Sequence, residues 1–361
     1  MIPSYNKVHL KFKLNGHHYN QDDIKEVAYS LVKEGLPFEQ AVGDFLIDWL
    51  DSKDFIKVKT TGTTGKPKVI KLKKQSMVNS SIYTGDFFNL KPGDKALHCL
   101  PAKFIAGKMM LVRAMILGLE IDLIEPRSIP NFNPNNEYDF CAMLPIQLQN
   151  SLDAIGNFKN IIIGSAKASN ELIESLQSIP TNVYETFGMT ETATHIALRA
   201  LNNLNSEHNK TLRDKALFKT LEGVSVSVDE RECLVINSPH ISSEPIITND
   251  IVKIYSEHEF EWMGRFDNVI NSGGVKIFPE SVEEKLFNKI DSKFFIASEK
   301  DTKLGNKVIL VIEGDSNDVD SSIFDVLDKY EKPRSIYNLK EFPVNQEKIQ
   351  RNKILKKLGI I

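Results

Sequence analysis

The chain has 361 residues, of which 41% are hydrophobic and 26% charged, and a formal net charge of -3. That composition belongs to an ordinary globular protein with room for two domains or three small ones. The charge balance, with no basic run, argues against an electrostatic nucleic-acid binder. Cys99, Cys141 and Cys233 are unclustered, which excludes a disulfide framework or a Cys-based zinc site and fits a reducing compartment. Residues 1–20 lack the apolar core of a signal peptide, and no apolar run is long enough to span a bilayer. These features predict a cytoplasmic protein.

In chain order, Ile24, Val27, Ala28, Leu31 and Val32 fall at helical spacing, and Gly35 can end that helix. Pro37 starts a second helix with Phe38, Ala41, Val42, Phe45, Leu46, Trp49 and Leu50 on one face. Ile56 and Val58 then alternate with lysines, and Val69-Ile70-Lys71-Leu72 reads as a second strand. Between these strands lies Thr60-Thr61-Gly62-Thr63-Thr64-Gly65-Lys66-Pro67-Lys68. Its glycines free the backbone to approach a ligand, and its Thr hydroxyls and Lys ammoniums are all donors, a set suited to polyphosphate. Two residues separate Gly62 from Gly65 and Pro67 follows Lys66, so it is not a Walker A loop. A helix is expected near Lys74–Phe88.

Apolar runs come next at 96–100, 121–124, 140–144, 161–163 and 183–187, separated by helical or turn segments. This alternation predicts a parallel sheet covered by helices. Such sheets bind ligands at the carboxyl ends of their strands, here Gly164-Ser165-Ala166 and Gly188-Met189-Thr190-Glu191. The segment 107–117 is apolar nearly all round and predicts a buried helix. Its Lys108 and Arg113 fall on different sides, Lys108 after a strand end where an acyl pocket would lie. Arg113 reads more naturally as structural, while His195 reads equally as a pocket-lining or a structural residue. Short alternating strands between Val224 and Ile254 predict a small β subdomain. Beyond Gly264 come a helix at 281–289, strands at 294–297 and 308–312, a helix at 323–329 and a basic tail, hence a small α+β domain.

Several stretches resemble the adenylate-forming enzymes, among them acyl-CoA synthetases, luciferases and adenylation domains. The Thr/Gly run ending in Gly65-Lys66-Pro67-Lys68 is similar to that family's phosphate loop. Thr186-Phe187-Gly188-Met189-Thr190-Glu191 is similar to its Tyr-Gly-x-Thr-Glu motif. The resemblance implies Mg2+ on Glu191, phosphate on Thr190 and adenine against Phe187, which lacks the family's hydroxyl. Thr248-Asn249-Asp250 resembles the family's Thr-Gly-Asp, implying ribose on Asp250, with Asn249 the departure. Arg265-Phe266-Asp267 and Gly273-Gly274 resemble the interdomain linker. They imply a nucleotide contact at Arg265, a hinge at Asp267 and a coenzyme A contact at the paired glycines. Pro343-Val344-Asn345-Gln346-Glu347-Lys348-Ile349 looks like the family's lysine motif, one residue shorter and with Glu347 in place of its Gly. Lys348 is then the adenylation lysine, with Lys353 the alternative. Each stretch alone also has a plain reading as a turn, cap, hairpin or solvated tail.

The resemblance implies an α/β fold, with a large N-terminal AMP-binding domain at 1–264 and a small mobile C-terminal domain at 265–361. The implied nucleotide site takes Thr60, Thr61, Gly62, Thr63, Thr64, Gly65, Lys68, Gly164, Ser165, Ala166, Phe187, Gly188, Asp250 and Arg265. Catalysis falls to Lys348, Thr190 and Glu191, and an acid substrate to Lys108. ATP, Mg2+ and coenzyme A are the implied cofactors and substrates, with no nucleic-acid or membrane partner. A homodimer stays open. The runs at 99–101, 105–110 and 265–274 look most like the compact bacterial o-succinylbenzoate–CoA ligases of menaquinone synthesis. A ligase or adenylation module for another aryl or fatty acid, or a non-catalytic nucleotide-binding relative, remains the alternative.

Overall fold

The computed structural model describes residues 3–59, 68–203, 217–314, 319–345 and 348–361, the side chains of Asn345 and Lys348 excepted. The chain forms two compact units. The first comprises Met1–Val226, Ile236–Ile246 and Glu257–Glu259; the second comprises Ser227–Val235, Ile247–Ser256 and Phe260–Ile361. The boundary expected at 264/265 falls inside the second unit, which also takes in the two earlier segments.

The first unit opens with β1 (Lys13–Leu14) and β2 (His17–His18), short strands that no sequence periodicity announces. Helix α1 (Gln21–Glu34) starts on a reciprocal cap: Asn20 Oδ1 accepts the Asp22 and Asp23 amides, and Asp23 accepts the Asn20 amide. Helix α2 (Pro37–Leu50) begins at its proline, as expected, and buries Val42, Phe45, Leu46 and Trp49. Strands β3 (Phe55–Lys59) and β4 (Val69–Lys73) pair antiparallel in the expected hairpin, with Lys59 opposite Val69.

Helix α3 (Lys74–Phe88) starts directly after β4. Then come β5 (Lys95–His98), α4 (Ile105–Leu117), β6 (Glu120–Leu123), β7 (Tyr138–Met143), α5 (Pro145–Gln149) and β8 (Phe158–Ile163). The unit continues with α6 (Asn170–Leu176), β9 (Asn182–Gly188), β10 (His195–Ala200) and β11 (Phe218–Thr220). Its strands lie in the order β11-β10-β9-β8-β7-β5-β6-β1-β2. Strands β5 to β9 pair parallel, as the alternation of apolar runs with helical segments predicted, while β9–β10 and β10–β11 are antiparallel. Helix α4 buries Gly107 through Ile116 without a polar face, as its composition requires.

Strands β12 (Ser225–Val228), β13 (Cys233–Asn237) and the longer β14 (Ile246–Ser256) appear where the alternation placed them, and β15 (Glu259–Arg265) comes after them. The second unit adds β16 (Ile270–Ser272), β17 (Val275–Ile277), α7 (Pro279–Leu286), β18 (Phe294–Asp301) and β19 (Gly305–Glu313). It closes with β20 (Ser335–Leu339), β21 (Val344–Asn345), β22 (Lys348–Ile349) and α8 (Arg351–Lys357). A sheet β17-β16-β19-β18, with β20 on β19, holds Ile296, Val308, Leu310 and Ile312 in one core and Phe295, Ile309 and Val311 in another.

Two expectations are overturned in the second unit. The helix expected at 323–329 is a 3-10 turn, Ser321–Val326, which ends where Leu327 turns extended and buries itself. The basic tail is helix α8, whose Ile354 and Leu355 pack on Phe295 and Phe342, so its lysines form the outer face of a seated element.

One buried group ties this fold to pH. His98, at the end of β5, is 2% exposed, donates Nε2–H to the Gly107 carbonyl at 3.1 Å and leaves Nδ1 without a partner. Burial pulls its pKa down to about 4. An unfolded histidine takes up its proton near pH 6.5, so the folded state binds fewer protons between these values. Stability is therefore full above the unfolded pKa and falls, by about 3 kcal/mol, as pH drops through that window. In urea titrations at pH 7 and pH 4, His98→Gln should lose correspondingly less stability on acidification than the wild type. Parallel losses would show that His98 is not the group being protonated.

Candidate active site

The expected phosphate-loop residues Thr60, Thr61, Gly62, Thr63, Thr64 and Gly65 lie outside the described residues. Lys68 stands exposed just before β4. The remaining candidates fall into two groups, one in each unit.

In the first unit the parallel pairing of β8 and β9 brings Ile163 opposite Glu185. The two chains therefore leave the sheet side by side, one as Gly164-Ser165-Ala166, the other as Phe187 to Glu191. Ser165 adopts a left-handed φ of 70°, unusual for a side-chain-bearing residue. Thr186 Oγ1 donates to the Ile163 carbonyl at 2.9 Å, and Glu185 Oε1 accepts the Ala168 amide at 3.0 Å, pinning the 164–168 loop at both ends. Glu185 is 4% exposed and its other oxygen pairs with Arg199 of β10, whose guanidinium lies over Phe218. Phe187 is half-buried and meets Phe218 edge-on at 5.6 Å.

Gly188 is required by contact rather than by turn geometry: a Cβ there would collide with the Thr194 carbonyl and the His195 Cα. Thr190 and Glu191 lie in a 3-10 turn, Thr190–Thr192. Thr192 Oγ1 fastens that turn by accepting the Met189 amide at 2.9 Å and donating to the Thr194 carbonyl at 2.6 Å. Glu191 thus presents an exposed carboxylate on a pinned turn. No group of three His, Cys, Asp or Glu among the described residues could cage a metal. A metal at Glu191 must then draw most of its ligands from phosphate oxygens and water, which suits Mg2+.

The two cations of α4 point to different neighbours, as their spacing predicted. Lys108 Nζ lies 4.7 Å from the Phe45 ring of α2; burial lowers its pKa, against the charges of Asp48 and Asp44 on that helix. Arg113 is 1% exposed. Its Nη2 donates to Thr194 Oγ1 at 3.1 Å, its guanidinium lies 5.9 Å from the Phe140 centroid, and its Nε has no partner. Among the described residues it has no carboxylate partner, and burial brings its pKa down to about 9. His195 bridges Thr84 Oγ1 and Thr194 Oγ1, each at 3.3 Å. Burial first, then the Arg113 charge, holds it neutral well below its usual range.

In the second unit Asp250 accepts Trp262 Nε1–H at 3.0 Å and Arg265 Nη1–H at 3.2 Å. Asp267 lies 3.7 Å from Arg265 Nη2 and accepts the Asn249 amide at 3.3 Å, and Asn249 in turn accepts from Arg231 at 3.0 Å. Gly273 and Gly274, with φ of 57° and 86°, form the two-residue turn between β16 and β17 that only left-handed residues can close. Lys348 is placed in β22 by its backbone, opposite Asn345, and Lys353 is exposed on α8.

Sequence patterns gave no role to Glu185, Arg199, Thr186 or Thr192: the first three sit on strands, where a polar residue looks solvent-facing, and Thr192 acts through the fold of its own turn. The Glu185–Arg199 pair is the one whose loss should be felt most. Glu185→Ala strands a largely buried guanidinium and should cost about 3 kcal/mol in urea unfolding, as for other broken buried pairs. A cost below about 1 kcal/mol would mean the pair is screened like a surface bridge.

Comparison with known proteins is consistent with this geometry. The AMP-binding enzyme family matches residues 58–220. An acyl-CoA synthetase (AMP-forming)/AMP-acid ligase II-like protein from Dyadobacter fermentans is 33% identical in sequence. That structure matches with a TM-score of 0.59, over 92% of this chain and 98% of its own. The 2-succinylbenzoate–CoA ligase of Lactococcus lactis is 21% identical over 332 residues, 86% of this chain and 71% of that protein. The o-succinylbenzoate coenzyme A synthetase of Bacillus subtilis, solved with ATP and magnesium, shares the fold. Its TM-score is 0.69 at 19% identity, over 82% of this chain and 69% of its own. With a relative one-third identical along nearly its whole length, this chain belongs to the AMP-binding enzyme family.

Proposed function

We propose that this enzyme is an ATP-dependent acid–coenzyme A ligase whose acid is o-succinylbenzoate. The observation that carries the choice of acid is Arg113. A buried guanidinium without a carboxylate costs several kcal/mol in desolvation. Such a group is explained when the missing anion arrives with the substrate. o-Succinylbenzoate has two carboxylates, one to be activated and one to be held. Arg113 suits the held one better than Lys108, because Lys108 already faces Phe45, Asp44 and Asp48 on α2. The start of β10, where Arg113 meets Thr194, comes directly after the Thr190–Glu191 turn.

The chemistry has two steps. The succinyl carboxylate oxygen bonds to the α-phosphorus of ATP as the bond to pyrophosphate breaks. The sulfur of coenzyme A then bonds to the acyl carbon as AMP leaves, and the thiol proton passes to solvent. In this reading Thr60 to Gly65, Lys68 and Thr190 hold phosphate. Gly164-Ser165-Ala166, Phe187 and Gly188 take the adenine, while Asp250 and Arg265 take the ribose. Glu191 holds Mg2+, which offsets phosphate charge when bound. Lys348 neutralises the charge that builds in the first step. The chain turns about Asp267 before the second step, when Gly273 and Gly274 meet coenzyme A. The names of the relatives, the motif order and the pinned loops at the ends of β8 and β9 support this assignment.

Pyrophosphate release with ATP and a panel of acids tests it. o-Succinylbenzoate should be preferred over benzoate and fatty acids. Lys348→Ala should abolish release, while thiol transfer from preformed acyl-AMP survives. Arg113→Met should raise the KM for o-succinylbenzoate roughly ten- to a hundredfold, the value of one charge-assisted hydrogen bond, with little change for ATP. Preference for a monocarboxylic acid, or an unchanged KM in Arg113→Met, would remove the assignment of the acid.

A further inference from the structure

The lysine hairpin is too small to hold its own position. β21 and β22 contribute two residues each, and an isolated hairpin of that size is unstable in water. The backbone fixes one end through the Gln350 amide to the Pro343 carbonyl at 2.9 Å. The next residue, Arg351, is the first of α8. Its Nη2 lies 2.7 Å from Glu283 Oε2 and its Nη1 3.9 Å from Glu280 Oε1. Glu280 and Glu283 are three residues apart on α7 and so share a face. The guanidinium also lies 5.5 Å from the Phe295 ring centroid.

The two glutamates are themselves anchored in different directions. Glu283 Oε1 accepts the Ile296 amide of β18 at 2.8 Å, fixing it to the sheet. Glu280 Oε1 accepts from Asn268 Nδ2, in the turn that contains Asp267. An unbroken chain of charged and polar contacts therefore runs from the hinge turn to a residue three places after Lys348. Helix α8 does not need this chain for its seat, which Ile354 and Leu355 already supply. Burial pushes the Glu283 carboxyl up to about 7, so the contact is costly to keep ionised. A costly contact beside a sufficient apolar anchor gives direction more than stability.

We propose that Arg351 is a positioning residue for adenylation, held by Glu283 and Glu280 so that β22 presents Lys348 in register with the turn at Asp267. This rests on the reading that Lys348 serves the first half-reaction. Misplacement of a catalytic group by about 1 Å can cost roughly a hundredfold.

The test uses the full chain carrying Arg351→Met, Arg351→Lys, Glu283→Gln or Lys348→Ala. Adenylation is read as acid-dependent exchange of pyrophosphate into ATP, and thiol transfer as thioester formation from preformed acyl-AMP. Arg351→Met should lose adenylation roughly ten- to a hundredfold, with thiol transfer, the KM for ATP and the melting temperature little changed. Arg351→Lys should recover part of the loss. Glu283→Gln, which keeps the side chain's shape, should show the same selectivity more weakly and stands in should Arg351→Met fail to fold. Equal losses in both half-reactions, or none, beside an inactive Lys348→Ala would overturn the role of Arg351 and leave that of Lys348 standing. Normal adenylation by Lys348→Ala would remove both.

Discussion

The register between β8 and β9 is the constraint on which the first unit's candidate site depends. Parallel strands joined by a crossover helix must end at the same edge of the sheet. Here Asn160 meets Asn182 and Ile163 meets Glu185, so the two exits stand level. The polar groups at that edge then fasten one exit to the other: Thr186 to Ile163, Glu185 to Ala168. A slip of one residue would turn Glu185 to the opposite face of the sheet and break these contacts together. The left-handed Ser165 and the pinned Thr190–Glu191 turn are available to a ligand because the strands beneath them leave no slack.

The buried cations of this unit differ in what surrounds them. Lys74 is fully buried, yet its ammonium donates to the Asp51 carboxylate at 2.8 Å and to the Asp51 carbonyl at 3.1 Å. Lys108 has an aromatic face and two acids on α2. Arg113 has a threonine hydroxyl, a thioether and a ring, and no anion among the described residues. Hydroxyls and rings soften a charge without cancelling it. The field that remains acts on His195, which stays neutral beside it. Of the three, Arg113 is the one with no carboxylate beside it among the described residues.

Much of the fold was legible because the signals were local. Strands β5, β7 and β8 are largely buried and read as mainly apolar runs, and α2 carries a proline at its start. The turn at Gly273-Gly274 was legible because two successive left-handed residues leave little choice but glycine. The misses have one cause, which is that tertiary partners decided them. The segment 321–326 forms a 3-10 turn because Leu327 is drawn into a core made by β18 and β19. Helix α8 looked like a tail because only two of its residues, Ile354 and Leu355, are buried. Glu185 looked like a solvent-facing strand residue because its partner Arg199 lies on a strand whose pairing cannot be read from spacing. Nor could the heading of Lys108 be read, since Phe45 lies on another helix.

Asn249 shows how a departure from a family pattern is absorbed. Adenylate-forming enzymes resemble this chain at Thr248 and Asp250 but have glycine between them. Here the Asn249 side chain accepts from Arg231 Nη1 and donates to Asp267, and Arg231 also reaches the Thr248 carbonyl and lies over Phe266. A glycine could make neither side-chain bond. The Asn249 side chain therefore adds a second link between β14 and the Asp267 turn, beside Arg265, which contacts both Asp250 and Asp267. Asp267 and Asn268, neighbours in sequence, consequently hold opposite ends of two networks: Asp267 toward Asn249 and Arg265, Asn268 toward Glu280 and Arg351. A rotation at this turn must break or carry along one of the two.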